Sequence, residues 1–171
     1  MTADELPFRV EVIRSTKRKR TVAARLVGET LQVRIPATMS RADERRYVQK
    51  LAEQMARSHR SDQVDVAARA AGLARRYELP QPRSVRWSSA QESRWGSCTP
   101  DNGDIRVSDR LAQFPPWVLD YVLVHELAHL VEANHSAAFW QIVARYPKAE
   151  RARGYLMAKG PDTDGGDDTD G

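Results

Sequence analysis

Three of the four histidines fall within eleven residues, from His125 to His135, and a glutamate follows the first of them directly. His125 and His129 are four residues apart, so on a helix their imidazoles would lie on one face, one turn apart. Two imidazoles spaced in this way can share one zinc ion, and Glu126 is placed to act as a general base toward water. The pattern His-Glu-x-x-His therefore predicts a zinc site that activates water for hydrolysis.

Two residues compete to be the third metal ligand. His135 lies ten residues after His125, which is the interval that metzincin metalloproteases use, but Glu132 stands where those proteins have a glycine. Asn134 tolerates the left-handed conformation at a helix end and is therefore a candidate for turning the chain so that His135 returns to the metal. Glu132 shares the helix face of both histidines but lies about 4.5 Å further along the axis than His129. We expect His135 to be the ligand.

The elements around this motif can be predicted from apolar periodicity and turn residues. Pro115-Pro116 opens a buried helix that should run to about Asn134, and Ser136 is placed to cap the next helix. Upstream, residues 84–90 and Asp104–Ser108 have the composition of short strands. We expect these strands to form a small antiparallel sheet packed on the motif helix.

The N-terminal half predicts strands followed by helices. Residues 8–35 alternate between apolar and polar, and Gly28-Glu29 suits a tight hairpin turn with glycine first. One helix is predicted after Ser40, with that serine as its cap, and a second from about Asp62 to Tyr77. The whole chain is therefore expected to be of the α+β class.

Composition predicts a single domain over residues 1–160 and a disordered acidic tail over residues 161–171. The chain has 171 residues, of which 41% are hydrophobic and 29% charged, as in ordinary globular proteins. The tail holds five aspartates and no basic residue, so the net charge of +4 becomes +9 when those five negative charges are left out. A basic body indicates either a solvated surface or an acidic partner such as nucleic acid.

Cysteine usage and hydropathy predict a cytoplasmic protein that does not enter the membrane. Cys98 is the only cysteine, so no intramolecular disulfide can form. The first seven residues contain two acids and no apolar run, unlike a secretory signal. The longest apolar stretch, residues 117–131, is interrupted by charged and histidine side chains and predicts a helix buried in protein.

Several short segments of the C-terminal half together resemble the YgjP-like metallopeptidase family, which is related to the SprT-like zincins. They are Ser93-Arg94-Trp95-Gly96-Ser97-Cys98, Ile105-Arg106-Val107-Ser108, Leu111 with Pro115, Tyr121-Val122, His125-Glu126-Leu127-Ala128-His129, and Asn134-His135-Ser136 with Phe139-Trp140. The resemblance is strong over residues ~80–145 and looser in the N-terminal half.

This resemblance implies a zincin-like fold, a Zn²⁺ cofactor held by His125, His129 and His135, and Glu126 as the catalytic base. It supports His135 over Glu132, because the Asn-His-Ser segment is where such families place the third ligand. The implied activity is hydrolysis of peptide bonds in a protein or peptide substrate. SprT-like relatives include enzymes that act on DNA-attached proteins, so DNA is a second expected partner.

The segment around Arg94 and Trp95 is predicted to line the substrate site, although both residues also have structural interpretations. Arg94 could hold a carboxylate or the oxyanion, or it could form a structural ion pair. Trp95 could instead fill the core, and Gly96 would permit a close backbone approach. Ser97 and Cys98 have no base partner, because the nearby histidines are assigned to metal, and nucleophilic serine or cysteine catalysis is therefore not expected.

Two alternatives to a metallopeptidase remain at this stage. One is a nucleic-acid-associated protein, indicated by a dense basic run from Arg14 to Arg20 and by further arginines from Arg41 to Arg60. The other is a zinc-stabilised scaffold without catalysis. The sequence leaves the substrate, the cleavage preference and the oligomeric state open.

Overall fold

The computed structural model describes residues 6–91 and 93–160. It divides the chain into two compact units, Met1–His59 and Arg60–Gly171, which are described separately below. The boundary of a single domain over residues 1–160 stays a prediction. The predicted disordered tail, residues 161–171, lies outside the described residues.

The first unit contains a three-stranded sheet of β1 (Arg9–Ser15), β2 (Ala23–Val27) and β3 (Thr30–Pro36), with β3 in the centre. β2 and β3 form the predicted antiparallel hairpin, and Gly28 has a φ of +59°, a backbone conformation that favours glycine. β1 pairs with β3 in parallel.

Helix α1 (Arg41–Ser61) covers the apolar face of this sheet. Ser40 caps it as predicted, because its hydroxyl accepts a hydrogen bond of 3.1 Å from the backbone N–H of Asp43. The guanidinium of Arg14 also bonds Glu44 in the first turn of α1. The buried core of this unit consists of Phe8, Leu31, Val33, Ile35, Ala52 and Ala56.

The second unit begins with α2 (Val66–Arg76), which starts at an Asp65 cap rather than at the predicted Asp62. Its sheet contains β4 (Ser84–Ser88), β5 (Gly96–Thr99) and β6 (Asp104–Ser108), with β6 in the centre. A 3₁₀ turn, Asp109–Gln113, then leads toward the motif helix.

The prediction that this sheet is purely antiparallel is wrong, although the α+β class itself is confirmed. β5 pairs with β6 antiparallel, but β4 pairs with β6 in parallel. Parallel neighbours need a crossover of about a dozen residues or more. Residues 89–103 provide that length here, as residues 16–29 do between β1 and β3.

Helix α3 (Pro116–Ala128) runs through the core of the second unit. Ten of its residues are buried, namely every residue from Val118 to Ala128 except Asp120. The predicted extension to about Asn134 is wrong. After Ala128 the backbone tightens: the N–H of Leu130 bonds the carbonyl of Leu127 at 3.1 Å, and that of Val131 bonds Ala128 at 3.0 Å. Such three-residue spacing closes a last turn and ends the α-helix.

Two short helices complete the second unit. Helix α4 (Ala137–Val143) begins at Ser136, whose hydroxyl accepts a 3.2 Å hydrogen bond from the N–H of Phe139, as the sequence predicts. Helix α5 (Ala149–Lys159) follows Pro147. Within residues 6–91 and 93–160, no helix is both long and apolar enough to span a bilayer.

Candidate metal centre and active site

The end of α3 and the start of α4 bring three histidines together. His125 lies in the last turn of α3, His129 directly follows that helix, and His135 precedes the Ser136 cap of α4. One ligand atom from each of the three residues can be chosen so that all lie within 4.8 Å of one another. A metal ion could therefore be held by three imidazoles that the end of one helix and the turn after it supply.

The separation of two of these nitrogens fits a tetrahedral zinc ion. Nε2 of His135 lies 3.2 Å from Nε2 of His125. Two nitrogens bound tetrahedrally at roughly 2.0–2.1 Å from zinc would be about 3.3 Å apart. The two rings thus already have the spacing of neighbouring ligands, and a neutral nitrogen donor set is one that zinc prefers.

The third imidazole is oriented by the chain that follows the helix. Nδ1 of His129 lies 3.2 Å from the backbone carbonyl oxygen of Glu132. A carbonyl accepts, so Nδ1 carries the proton and the Nε2 lone pair remains for a metal. Because α3 ends before Glu132, the helix face on which the Glu132 alternative rested does not extend to it.

Two aromatic rings of α4 hold the histidine cluster. The ring centroid of Phe139 lies 4.9, 4.5 and 4.7 Å from those of His125, His129 and His135, respectively. Trp140 stacks on His135, with 5.6 Å between centroids and 23° between planes. Packing of this kind restricts ring rotation and so pre-organises the three imidazoles. The sequence predicts a helix that contains both aromatic residues but does not indicate this role for them.

The electrostatics at His125 favour neutral imidazole. Burial is the largest cause, and together with the neighbouring His129, His135 and Arg153 it lowers the pKa of His125 to about 3. A metal ligand must be deprotonated, so His125 is already in the required state over the whole range around neutral pH.

The side chain of Glu126, a residue of α3, lies against strand β5. This side chain is buried, with 5% of the residue exposed. A Cβ added to Gly96 would come 2.8 Å from both Cγ and Cδ of Glu126, so only glycine leaves room for the carboxylate as it stands. The space beside Gly96 is thus occupied by the side chain of the candidate base, and the backbone approach predicted for Gly96 stays a prediction.

Cys98 lies in the same strand, half-buried beside Glu126. Burial raises the pKa of its thiol to about 12, and the negative charge of Glu126 contributes to the same shift. A protonated thiol is a poor nucleophile, in keeping with the expectation that neither Ser97 nor Cys98 performs covalent catalysis.

The structure places Trp95 in the core and Arg94 on the surface. Trp95 is buried, packs against Phe114 at 5.4 Å, and has the guanidinium of Arg110 over its ring at 4.1 Å. It also lines a cavity of about 360 Å³. Arg94 is exposed, and its backbone carbonyl accepts a hydrogen bond from Arg110. The substrate-binding roles of Arg94 and Trp95 stay predictions.

Solved metallopeptidases have a similar fold. The crystal structure of the metallopeptidase zymogen of Pyrococcus abyssi abylysin is 22% identical, with a TM-score of 0.51 over 57% of this chain and 96% of that chain. The metallopeptidase zymogen of Methanocaldococcus jannaschii jannalysin is 16% identical, with a TM-score of 0.48 over 56% and 97% of the two chains. Only the first of these two structures supports the fold assignment, and at 22% identity it supports the fold alone. No curated protein matches the sequence.

A zincin-like fold carrying a cluster of potential metal ligands defines the class as metal-dependent peptidases. The sequence matches the family described as YgjP-like, metallopeptidase domain over residues 5–159. The chain therefore belongs to the YgjP-like metallopeptidases, as its motifs predicted. This family implies a divalent metal, usually zinc, and the three-histidine group is a set of residues that could bind it.

Proposed function

We propose that the protein is a zinc-dependent peptidase in which His125, His129 and His135 hold the ion and Glu126 is the general base. The observation that carries the proposal is the convergence of three ring nitrogens within 4.8 Å, two of them 3.2 Å apart. Peptidase activity follows from the family, whereas the assignment of each residue is our own.

Each residue has a defined part in hydrolysis. When bound, zinc supplies Lewis-acid polarisation of the scissile carbonyl and lowers the pKa of water to about 7. Glu126 takes a proton from the attacking water at its carboxylate and delivers it to the leaving nitrogen, so that the new C–O bond forms and the C–N bond breaks. The three imidazoles would hold the ion, with His129 oriented through Nδ1 by the carbonyl of Glu132.

Strand β5 is suited to hold an extended substrate beside this site. In the described sheet β5 is an edge strand paired only with β6. Gly96 at its start touches Glu126. An extended peptide could pair with the outer edge of β5 through main-chain hydrogen bonds. Its carbonyl groups would then lie close to Glu126.

The role of Glu126 is tested by Glu126→Gln with Glu132→Gln as the matched control. The amide keeps the size of the side chain but cannot take a proton, so we expect full zinc content and a loss of kcat of at least about 10²-fold. Glu132→Gln keeps the backbone carbonyl that orients His129 and should keep both zinc and activity. An unchanged kcat in Glu126→Gln would remove the proposed base.

The ligand set is tested by replacing each histidine with alanine and measuring bound zinc. We expect each single variant to lose zinc affinity strongly, since each removes one of three protein ligands. Full retention of zinc in His135→Ala would reject His135, and a loss of zinc in Glu132→Gln would favour the competing residue. Zinc binding and chelator-sensitive stability without cleavage of any peptide would instead support a zinc-stabilised scaffold.

We also propose nucleic-acid association as a second function of the first unit. Lys17, Lys19 and Arg20 are exposed in the connection between β1 and β2. If all three contact phosphates, replacing them with glutamine should lower the slope of log affinity against log salt for duplex DNA by about three. Lys148, an exposed cation of the second unit, gives the control variant Lys148→Gln with an unchanged slope. Absence of DNA binding by the wild type at low salt would reject this function.

A further inference from the structure

A second cavity lies one ring away from the histidine cluster. It has a volume of about 240 Å³, is formed by α4, α5 and the turn between them, and its lining includes Trp140, Val143, Pro147, Glu150 and Arg153. A cavity of roughly 150 Å³ is enough to hold benzene, so this one has room for an amino-acid side chain. Trp140 is shared, because it both lines the cavity and stacks on His135.

Arg153 places a positive charge in the wall of this cavity. Its guanidinium carbon lies 4.9 Å from the centroid of Trp140, and the Trp140 ring lies 5.6 Å from that of His135. An extended peptide advances about 3.3–3.6 Å per residue. The charge of Arg153 therefore lies within reach of a substrate residue one to three positions from a peptide bond cleaved at the histidine cluster.

The ion pair that Arg153 makes in the structure is one that a substrate could replace. Nη1 of Arg153 lies 3.2 Å from a carboxylate oxygen of Glu150, three residues earlier on α5. The Glu150 side chain is 86% exposed and that of Arg153 is 42% exposed. Pairs of this kind contribute little, because both charges remain hydrated. A carboxylate that arrived in the cavity would meet the same guanidinium against an apolar wall, where a charge-assisted hydrogen bond is stronger.

We propose that this cavity is a substrate subsite and that Arg153 selects an acidic side chain, aspartate or glutamate, close to the scissile bond. The inference rests on the proposed peptidase function, because a subsite at this position requires that the bond be cleaved at the histidine cluster. Arg153 would act on substrate binding and not on the bond-breaking step. Its effect should therefore fall on KM, with kcat nearly unchanged.

The test uses zinc-loaded protein and pairs of fluorogenic peptides that differ only in Glu against Gln, or Asp against Asn, at each position flanking the cleaved bond. We expect the wild type to prefer the acidic member at one position by about tenfold in kcat/KM, mainly through KM. Arg153→Gln should abolish this preference, so that the two members of the pair are cleaved with equal kcat/KM. Glu150→Gln should strengthen the preference, because it removes the competing carboxylate.

A matched control comes from the same helix. Arg151 is also exposed, and its guanidinium also lies over a tryptophan, Trp117, at 4.7 Å, but it does not line the cavity. Arg151→Gln should keep the acidic preference. Equal loss of activity on both members of a peptide pair in Arg153→Gln would indicate a structural role and overturn the proposal, as would a preference that survives in that variant. Dependence on a free C-terminal carboxylate, with no effect of the side chain, would also overturn it.

The failure of this inference can be told apart from failure of the peptidase function. If zinc-loaded wild type cleaves peptides and Glu126→Gln does not, the proposed function stands whatever the acidic preference. Binding of labelled, uncleaved peptides to zinc-loaded Glu126→Gln gives a second readout. Tighter binding of the Glu member than the Gln member, lost when Arg153→Gln is added, supports the subsite without any turnover, and equal binding of the two members rejects it.

Discussion

Gly96 is the residue whose size decides where the carboxylate of Glu126 can lie. A methyl group at this position would overlap the Glu126 side chain, with two carbon atoms only 2.8 Å away. Glu126 is buried against neighbouring packing, so it cannot move aside freely. The general base is thus positioned by the absence of a side chain on the adjacent strand as well as by its own helix.

We expect Gly96→Ala to retain zinc but to lower kcat by roughly 10²-fold, because a displacement of about 1 Å in a catalytic group can have that effect. Overpacking should also lower the free energy of unfolding by about 1–3 kcal/mol. Steady-state kinetics and denaturant titration measure both effects. Gly72→Ala is the control, because a Cβ there meets nothing within 4 Å and alanine suits a helix better than glycine. Wild-type kcat in Gly96→Ala would show that Glu126 is not held in this way.

Cys98 gives a second prediction at this scale. With its thiol pKa raised to about 12, folded protein at pH 8 should react with a disulfide reagent at least about a hundredfold more slowly than the same cysteine in unfolded protein. The rate for folded protein should keep rising as the pH is raised well above 9. Since Cys98 is the only cysteine, the denatured chain provides the control. Equal rates in the two states would contradict the burial of this thiol beside a negative charge.

The residues of the site were predictable to different degrees. The pairing of His125 with His129 needs only helical spacing, which the sequence shows directly. The choice between His135 and Glu132 needed the position of the helix end, and apolar periodicity does not define that end. The contact between Gly96 and Glu126 joins a strand to a helix, so no local pattern contains it.

At the scale of elements, α3 is the part that has to be held firmly, because it carries both His125 and Glu126. Its attachment to α2 is a bidentate pair: Nε and Nη2 of Arg69 bond the two carboxylate oxygens of Asp120 at 2.5 and 3.1 Å. The hydrogen bond to Asp120 also raises the pKa of Arg69. A bidentate ion pair of this kind restricts the orientation of α2 relative to α3.

Breaking this pair should destabilise the second unit. We expect Asp120→Asn to lower the free energy of unfolding by about 1–2 kcal/mol, the value being limited because both side chains are partly exposed. A double-mutant cycle with Arg69→Gln should give a coupling energy of about 1 kcal/mol. The exposed pair of Arg153 and Glu150 is the comparison, and its removal should change stability by less than about 0.5 kcal/mol. Zero coupling between Arg69 and Asp120 would contradict a stabilising role.

Strand positions were easier to predict than strand partners. The ranges of β3 and β6 follow from alternation and bounding turns, and the Gly28 hairpin follows from its residues. The parallel pairs of β1 with β3 and of β4 with β6 were missed, because they join strands separated by 14 and 15 residues, respectively. Such pairs depend on a shared central strand, which only the tertiary structure defines.

At the scale of the whole molecule, the histidine cluster links folding to pH. The pKa of His125 falls from 6.5 to about 3 on folding, chiefly through burial. Between those two values the unfolded chain binds a proton at this residue and the folded chain does not. Stability therefore rises with pH across this window and decreases as the pH falls from about 6.5 toward 3.

For metal-free protein we expect the free energy of unfolding to fall between pH 6 and pH 4, with His125 contributing at most about 1.4 kcal/mol per pH unit. Carboxylates also titrate in this range, so the contribution is measured as the difference between wild type and His125→Gln, whose curve should be flatter. His59, the one histidine outside the cluster, is exposed on α1, and His59→Gln is the matched substitution away from the cluster. Zinc should steepen the wild-type curve, because the ion binds the deprotonated, folded cluster and is released as the ligands protonate. If the free energy of unfolding depends on pH in the same way in wild type and His125→Gln, folding does not shift the pKa of His125. That result would contradict the proposal that burial keeps this imidazole neutral.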